Sequence, residues 1–176
     1  MGVRGNIQGA WHWMERSKTM KYYPINLNIK GKLCVVIGGG SVAERKVKNL
    51  LRYGGRVRVV SPDLTDRLSK WASQGKMVYT RSEYRASHLK GAFLVYAATS
   101  DRKVNAEIAR DAAKRRLLVN VADAPTESAF ILPAVVRKRD VSIAVSTNGI
   151  SPAKSVRIRD RIKQFIERGK LAKTER

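Results

Sequence analysis

Residues 33–46 decide the fold of this chain, and they read LCVVIGGGSVAERK. Residues 33–37 form an unbroken apolar run, which is typical of a strand buried on both faces of a parallel sheet. A G-x-G-x-x-A pattern follows, with Gly38, Gly40 and Ala43 in the small positions. These allow a sharp turn, the approach of a pyrophosphate and close packing of the helix, respectively. The stretch predicts a dinucleotide-binding turn, although a tight strand-to-helix turn without a dinucleotide stays open.

A helix is predicted directly after this turn. Ser41 and Glu44 have the spacing of a capping box. Apolar residues recur at helical spacing from Ala43 to Leu51. Gly54 predicts the end of the helix, because glycine favours the left-handed cap. Free backbone N–H groups and the positive end of the helix dipole would bind phosphate at the helix start.

The composition shows an excess of positive charge. The chain has 36 Lys and Arg residues against 14 Asp and Glu residues, a formal net charge of +22. This predicts a polyanionic partner, either nucleic acid or a small molecule with several carboxylates or phosphates. Aromatic residues make up only 7% and are not interleaved with the basic clusters. A stacking surface for nucleic acid is therefore the weaker interpretation.

The remaining composition predicts a globular cytoplasmic protein. With 176 residues, 43% of them hydrophobic, the chain suffices for one domain and an appendage. The single cysteine, Cys34, lies in the first predicted strand and is expected to be a core residue in a reducing compartment. The sequence shows no apolar run of about 20 residues and no signal-peptide core, so no membrane segment is expected. His12 and His88 lack metal-ligand spacing, and no metal site is predicted.

Strand and helix patterns alternate through the first two thirds of the chain. After the first strand, further strands are predicted at 56–60, 77–80, 93–98 and 117–121, and helices at 63–73 and 102–116. Such alternation predicts an α/β fold with a doubly wound, Rossmann-type parallel sheet over 22–121. Residues 1–21 are interpreted as an N-terminal extension.

The pattern changes after residue 121. Two β-rich runs at 129–136 and 141–145 predict a small segment outside the Rossmann repeat, arranged as a hairpin, within 122–150. Ser151 at the N-cap and Pro152 at the first position predict a helix in a short C-terminal region, 151–176. Its predicted apolar face consists of Ile158, Ile162, Phe165 and Ile166, and Gly169 is its predicted end.

The end of the second strand carries the usual cofactor-specificity position. An acidic residue there normally holds the ribose hydroxyls of NAD, but here Asp63 comes three residues late. Ser61 to Asp63 therefore either hold the ribose or cap the next helix. Arg56 and Arg58 on the strand keep NADP open as well.

Six motifs in order resemble the precorrin-2 dehydrogenase family, which includes the N-terminal module of siroheme synthase. They are YPI at 23–25, VVIGGGSVAERK at 35–46, AATSD at 97–101, VNVADAP at 119–125, AFILP at 129–133 and AVSTNGISP at 144–152. The similarity covers residues 22–166. It implies NAD-dependent oxidation of precorrin-2 to sirohydrochlorin in sirohaem synthesis, by a homodimer whose interface is the β-rich segment. Family members continue into a longer helical region, so the cleft roof is expected to be reduced here or supplied by a partner subunit.

The resemblance also implies the site residues. The cofactor-binding set is Gly38, Gly39, Gly40, Ser41, Val42, Ser61, Pro62, Asp63 and Thr99. The substrate-binding set is Ser146, Thr147, Asn148, Gly149, Ser151 and Lys154. Asp123 is the candidate catalytic residue, as a base or as a substrate-orienting group. An Asx turn before Pro125 is the structural alternative for this aspartate.

The charge of the chain agrees with a tetrapyrrole rimmed by carboxylates. Four basic side chains would attract such a substrate: Arg137, Lys138, Lys154 and Arg157. Three alternatives stay open. They are a dehydrogenase that also inserts iron, a non-catalytic NAD-sensing module, and a nucleic-acid binder driven by charge.

Overall fold

A computed structural model describes residues 21–168. The chain forms two compact units within this range. Residues 26–131 form the sheet unit, and residues 132–168, together with 21–25, form the hairpin–helix unit. The predicted extension, including His12, and the predicted helix end at Gly169 lie outside the described residues, except for Lys21.

The sheet unit is built on five parallel strands. They are β1 (Leu33–Ile37), β2 (Arg56–Ser61), β3 (Val78–Arg81), β4 (Leu94–Ala97) and β5 (Leu118–Val121). Their order across the sheet is β3-β2-β1-β4-β5, with all neighbours parallel. The chain reverses direction across the sheet after β3, which is the arrangement of a Rossmann-type fold. The predicted fold class is therefore confirmed.

Helices cover both faces of this sheet. They are α1 (Ser41–Arg52), α2 (Asp66–Ser73) and α3 (Arg102–Lys114). Because side chains alternate along a strand, Val36 joins the cluster containing Val47 of α1 and Leu68 of α2, whereas Val35 joins the cluster containing Ile108 of α3. The apolar run of β1 is buried on both sides, as its sequence predicts.

The hairpin–helix unit contains two antiparallel strands and one helix. They are β6 (Ala134–Lys138), β7 (Val141–Val145) and α4 (Pro152–Glu167). Arg139 turns the hairpin with a positive φ of 51°. Ser151 caps α4 by accepting a hydrogen bond from the Lys154 N–H at 3.3 Å, as predicted. Within residues 21–168, no helix is both long and apolar enough to cross a bilayer.

The first strand of the hairpin begins later than predicted. Ala129 donates its N–H to the Val119 carbonyl at 2.8 Å, and the Asn120 amide donates to the Phe130 carbonyl at 3.0 Å. These bonds attach residues 129 and 130 to the sheet unit. The hairpin strand therefore begins only at Ala134, after Pro133.

Candidate functional site

The glycine turn after β1 is closely packed on both sides. Gly38 has a φ of +119°, and its N–H donates to the Val60 carbonyl at 2.9 Å. A Cβ on Gly38 would collide with the Ala98 carbonyl, and a Cβ on Gly39 would collide with the Asp63 carbonyl. The first two glycines are therefore required by the packing of the protein itself.

Gly40 differs from the two glycines before it. A Cβ at this position would have no atom within 4 Å, and its φ of −85° is open to any residue. Gly40 is the N-cap of α1, with no side-chain cap hydrogen bond in the described part of the chain. The first N–H groups of α1 have no intrahelical partners, as in any α-helix, and the space beside the Gly40 Cα is open. This backbone cradle, which a side chain at Gly40 would fill, fits the pyrophosphate of a dinucleotide.

The predicted capping box of α1 is wrong. Ser41 lies inside the helix rather than at its cap. The Glu44 carboxylate instead accepts hydrogen bonds from the Thr65 hydroxyl and from Arg67, each at 2.9 Å. Glu44 therefore pairs with the segment that follows β2 instead of reaching back to the N-cap of α1.

The segment after β2 folds back against the glycine turn. The Thr65 N–H donates to the Gly39 carbonyl at 3.0 Å. Ser61 is buried, whereas the Asp63 side chain is 88% exposed and lies 3.9 Å from the Arg81 guanidinium. A shallow depression of about 280 Å³ adjoins Pro62 and Asp63. The backbone of Asp63, which comes three residues late in sequence, is thereby brought against the turn.

The alternative role of Ser61 to Asp63 as a helix cap is wrong. The helix α2 begins at Asp66, and Thr65 caps it by accepting a hydrogen bond from the Leu68 N–H at 3.3 Å. Ser61, Pro62 and Asp63 therefore do not cap α2.

Thr99 follows β4 and is held by Asn105 of α3. The side-chain amide oxygen of Asn105 accepts hydrogen bonds from the Thr99 N–H at 3.1 Å and from the Thr99 hydroxyl at 2.9 Å. The Asn105 amide donates to the Thr99 carbonyl at 3.1 Å. Asn105 is fully buried, so Thr99 has one defined position at the carboxyl edge of the sheet.

Asp123 follows β5 at the same edge of the sheet. Its carboxylate lies 4.0 Å from Nε of Arg102, the first residue of α3. Another nitrogen of that guanidinium contacts the carboxylate of Glu127. Within residues 21–168 no backbone N–H donates to the Asp123 carboxylate, so the geometry does not contain the Asx turn considered above. Its side chain is 39% exposed, and its oxygens remain accessible.

A lysine lies half-buried beneath this edge without a carboxylate partner among the described residues. Lys46 of α1 donates to the Asn120 amide oxygen at 3.0 Å and lies 4.8 Å from the centre of the Tyr96 ring. Burial, with a smaller contribution from the charge of Arg45, lowers the pKa of Lys46 from 10.5 to about 8. The Tyr96 ring packs edge-on against Phe130, and burial raises the pKa of Tyr96.

The predicted substrate-binding residues lie in the hairpin–helix unit, between β7 and the first turn of α4. The Thr147 hydroxyl donates to the Ser151 carbonyl at 2.9 Å, accepts from the Ser151 N–H at 3.0 Å and lies 3.1 Å from the Ser155 hydroxyl. Asn148 and Gly149 adopt positive φ angles of 53° and 78°. The Thr147 hydroxyl is thus occupied in shaping the loop.

Three of the basic residues predicted to attract the substrate have different surroundings. Lys138 donates to the Ile166 carbonyl at 2.9 Å and thereby joins the hairpin to α4. Lys154 and Arg157 are exposed, and neither forms an ion pair with a carboxylate in the described part of the chain. Lys154 and Arg157 therefore have charge available for an anion.

A metal centre has no support in the described residues. No three His, Cys, Asp or Glu side chains within 21–168 are grouped so as to hold a metal ion. His88 lies in a short 3₁₀ helix, Ala86–Leu89, and its Nδ1 accepts the Arg85 N–H at 3.0 Å.

Several residues that shape the site were not identified from the sequence. Asn105 had a usable signal, because it is a polar residue next to Val104 on the apolar side of α3. No feature of the sequence indicates a role for Arg102 or Glu127. They are brought together only because β4 and β5 are paired neighbours.

The fold and the glycine cradle define a nucleotide-binding protein of the Rossmann class. A family model described as putative NAD(P)-binding matches residues 25–134, and the chain belongs to this NAD(P)-binding family. A second model, described as sirohaem biosynthesis protein central, matches residues 139–164. The two together confirm the resemblance drawn from the six motifs.

Individual relatives agree with this assignment. The chain is 41% identical over 147 residues to the siroheme synthase of Nitrosococcus oceani and 39% identical over 147 residues to that of Methylobacillus flagellatus. These matches cover 84% of this chain but only 31% and 32% of those proteins, so the chain spans about a third of their length. The solved structure of the precorrin-2 dehydrogenase SirC matches with a TM-score of 0.74 and 29% identity, over 82% of this chain and 71% of that one.

Proposed function

We propose that this chain is an NAD-dependent dehydrogenase that oxidises precorrin-2 to sirohydrochlorin in sirohaem biosynthesis. The observation that carries the proposal is the pairing of two features at one edge of the sheet. An uncapped helix start faces open space at Gly40, and the Asp123 carboxylate stands accessible after β5. The similarity to a precorrin-2 dehydrogenase and to siroheme synthases supports the choice of substrate.

NAD rather than NADP is the proposed cofactor. The Asp63 backbone packs against the glycine turn, and its exposed carboxylate would accept hydrogen bonds from the ribose hydroxyls and would repel a 2′-phosphate. Arg81 would partly offset that repulsion. The proposed cofactor-binding residues are Gly38, Gly39, Gly40, Ser41, Val42, Ser61, Pro62, Asp63 and Thr99.

Oxidation of precorrin-2 removes a hydride and a proton from the substrate. NAD, when bound, supplies the hydride acceptor. We assign the proton to Asp123, whose oxygens are not consumed by backbone donors, or else we assign this carboxylate the task of orienting the substrate. Asn105 fixes Thr99 at the same edge, so that the cofactor would meet a defined backbone there.

Substrate carboxylates are assigned to the loop before α4 and to its first turn. The proposed substrate-binding residues are Ser146, Thr147, Asn148, Gly149, Ser151 and Lys154. In this proposal Thr147 maintains the loop, since its hydroxyl is already bonded, while Lys154 supplies charge.

A cytoplasmic homodimer is the proposed assembly. Several apolar side chains of the hairpin–helix unit are exposed: Val141, Ile150, Val156 and Phe165. Self-association through this unit would remove them from water.

Anaerobic turnover tests the function. Purified protein is mixed with precorrin-2 and NAD, and NADH is followed together with the sirohydrochlorin spectrum. The two products are expected in equal amounts. The Asp123→Ala variant should lose roughly 10²- to 10⁴-fold in kcat while its NAD affinity is unchanged. If the wild type binds NAD but gives no product, the proposed function is wrong. If Asp123→Ala keeps full activity, only the role of Asp123 is wrong.

A matched pair of glycine variants tests the cofactor site. Gly40→Ala places a methyl group in open space, so its stability should equal that of the wild type while the Kd for NAD rises about tenfold. Gly39→Ala meets the Asp63 carbonyl and should also lower the free energy of unfolding.

Titration of the wild type and of Asp63→Ala with NAD and with NADP measures the preference between the two cofactors. Tighter binding of NADP by the wild type would contradict the choice of NAD.

A further inference from the structure

One cation lies between two carboxylates at the carboxyl edge of the sheet. Arg102 begins α3 directly after the β4 loop, whereas Asp123 and Glu127 lie in the segment after β5, around the short 3₁₀ helix Pro125–Glu127. Because β4 and β5 are paired neighbours, the two segments emerge side by side. Arg102 therefore links the segment that carries Thr99 to the segment that carries Asp123.

The two contacts of the guanidinium are unequal. One terminal nitrogen of Arg102 is hydrogen-bonded to the Glu127 carboxylate, whereas Nε is 4.0 Å from Asp123, within ion-pair range but beyond a hydrogen bond. The exposed fractions of the Arg102, Asp123 and Glu127 side chains are 47%, 39% and 35%. Within residues 21–168, Arg102 is the only cation within ion-pair distance of the Asp123 carboxylate.

We propose that Arg102 is a positioning residue for Asp123, and that Glu127 determines how strongly Arg102 engages that carboxylate. The inference rests on the proposed function, since it assigns residues to the same reaction. It concerns the orientation and charge of Asp123, not the binding of the cofactor.

The physical reason is the fork geometry of arginine. A free guanidinium binds a carboxylate through two parallel hydrogen bonds, and it would then cover both oxygens. Glu127 occupies part of the fork, so Arg102 approaches Asp123 through Nε alone. The Asp123 oxygens are left available to a substrate while the nearby cation still restrains the side chain.

Charge gives Arg102 a second task. Asp123 and Glu127 bear two negative charges that would repel a substrate carrying several carboxylates. Arg102 offsets one of them. A lysine at this position would keep the charge but lose the planar fork, which separates the two tasks experimentally.

Steady-state kinetics with precorrin-2 and NAD compares three single variants. Arg102→Ala should lower kcat about tenfold, the scale of coupling between groups in contact, and should raise the KM for precorrin-2. Arg102→Lys should restore this KM but not kcat. Glu127→Gln should lower kcat without raising this KM, because the released fork turns to Asp123. The KM for NAD should be unchanged in all three. A fully active Arg102→Lys enzyme would overturn the proposal.

A double variant tests whether Glu127 acts through Arg102. In the Arg102→Ala background, Glu127→Gln should cause no further loss of kcat. An equal loss in both backgrounds would overturn that part of the proposal.

A readout without turnover separates this inference from the proposed function. The nitrogen NMR signal of Arg102 Nε should move in Asp123→Asn and in Glu127→Gln, in protein without substrate. If the wild type fails to oxidise precorrin-2 but the signal moves, the proposed function is wrong and the coupling of Arg102 to Asp123 stands. If the Arg102 Nε signal has the same position in Asp123→Asn as in the wild type, the positioning role is wrong, whether or not the enzyme is active.

Discussion

The sheet unit and the hairpin–helix unit bury their apolar residues to different extents. In the sheet unit the central strand is covered on both faces, and the side chains of Leu68 and Ile108 are fully buried. In the hairpin–helix unit Ile150 is 86% exposed and Phe165 is 50% exposed, although Phe165 belongs to the predicted apolar face of α4. The first unit buries what its sequence marks as core, and the second does so only in part.

This difference shows where the chain is self-sufficient. A parallel sheet with helices on both faces completes its own core. A two-stranded sheet with one helix has a single layer to bury and leaves the outer apolar residues in water. The first unit therefore has the stability to hold a cofactor site, whereas the second unit is the part that benefits from a further surface.

The largest expected effect contrasts Leu68, which is buried in the sheet unit, with Phe165, which is half-exposed on α4 of the hairpin–helix unit. Leu68→Ala should lower the free energy of unfolding by about 3 kcal/mol, because it leaves a cavity in a closed core. Phe165→Ala, at concentrations where the chain is monomeric, should cost under about 0.5 kcal/mol. Urea unfolding measures both. If the two variants lost equal free energy of unfolding, the apolar residues of the hairpin–helix unit would be packed as tightly as those of the sheet unit, which would contradict the comparison.

The sheet unit was the more predictable one because its signals are local. The apolar run of β1, the small residues of the turn and Gly54, with its φ of +71°, each act within a few residues. The prediction failed where distant residues compete. The predicted Ser41–Glu44 capping box does not form. The Glu44 carboxylate instead binds Thr65 at the N-cap of α2 and Arg67 in its first turn, more than 20 residues along the chain.

The candidate site divides in the same way. The glycine cradle and the position of Asp123 after a strand follow from local pattern and from the rule that ligands bind at the carboxyl ends of parallel strands. The environment of Asp123 does not follow from the local sequence. Its cation is on another helix and is itself shared with Glu127, and nothing in the spacing of these residues indicates the contact.

An intermediate effect concerns the half-buried Lys46. Its pKa of about 8 in the folded protein lies below the 10.5 of an exposed lysine. Below pH 8 the ammonium is charged in both states, and burial then destabilises the fold. As pH rises from 8 to 10.5 the folded protein loses the proton first, so this cost disappears. Stability should rise, relative to a Lys46→Met variant, by roughly 2 kcal/mol over that interval.

Unfolding in urea at several pH values, for wild type and Lys46→Met, isolates this contribution. The subtraction is needed because Cys34 and Tyr96 have pKa values raised by burial and oppose the trend at high pH. Lys48→Met, on the exposed side of α1, controls for the loss of one positive charge. Parallel curves for wild type and Lys46→Met would contradict the prediction.

The smallest effect tests whether the hairpin–helix unit, open as it is, still has a rigid loop. Thr147→Val keeps the shape of the side chain but removes the hydroxyl that joins Ser151 and the buried Ser155. The loss should be about 1 kcal/mol, the usual scale of such bonds, with faster amide exchange in the first turn of α4. Thr147→Ser keeps the hydroxyl and should behave as wild type in both measurements. If Thr147→Val also leaves exchange unchanged, the hydroxyl does not shape the loop, and it would be available to a substrate after all.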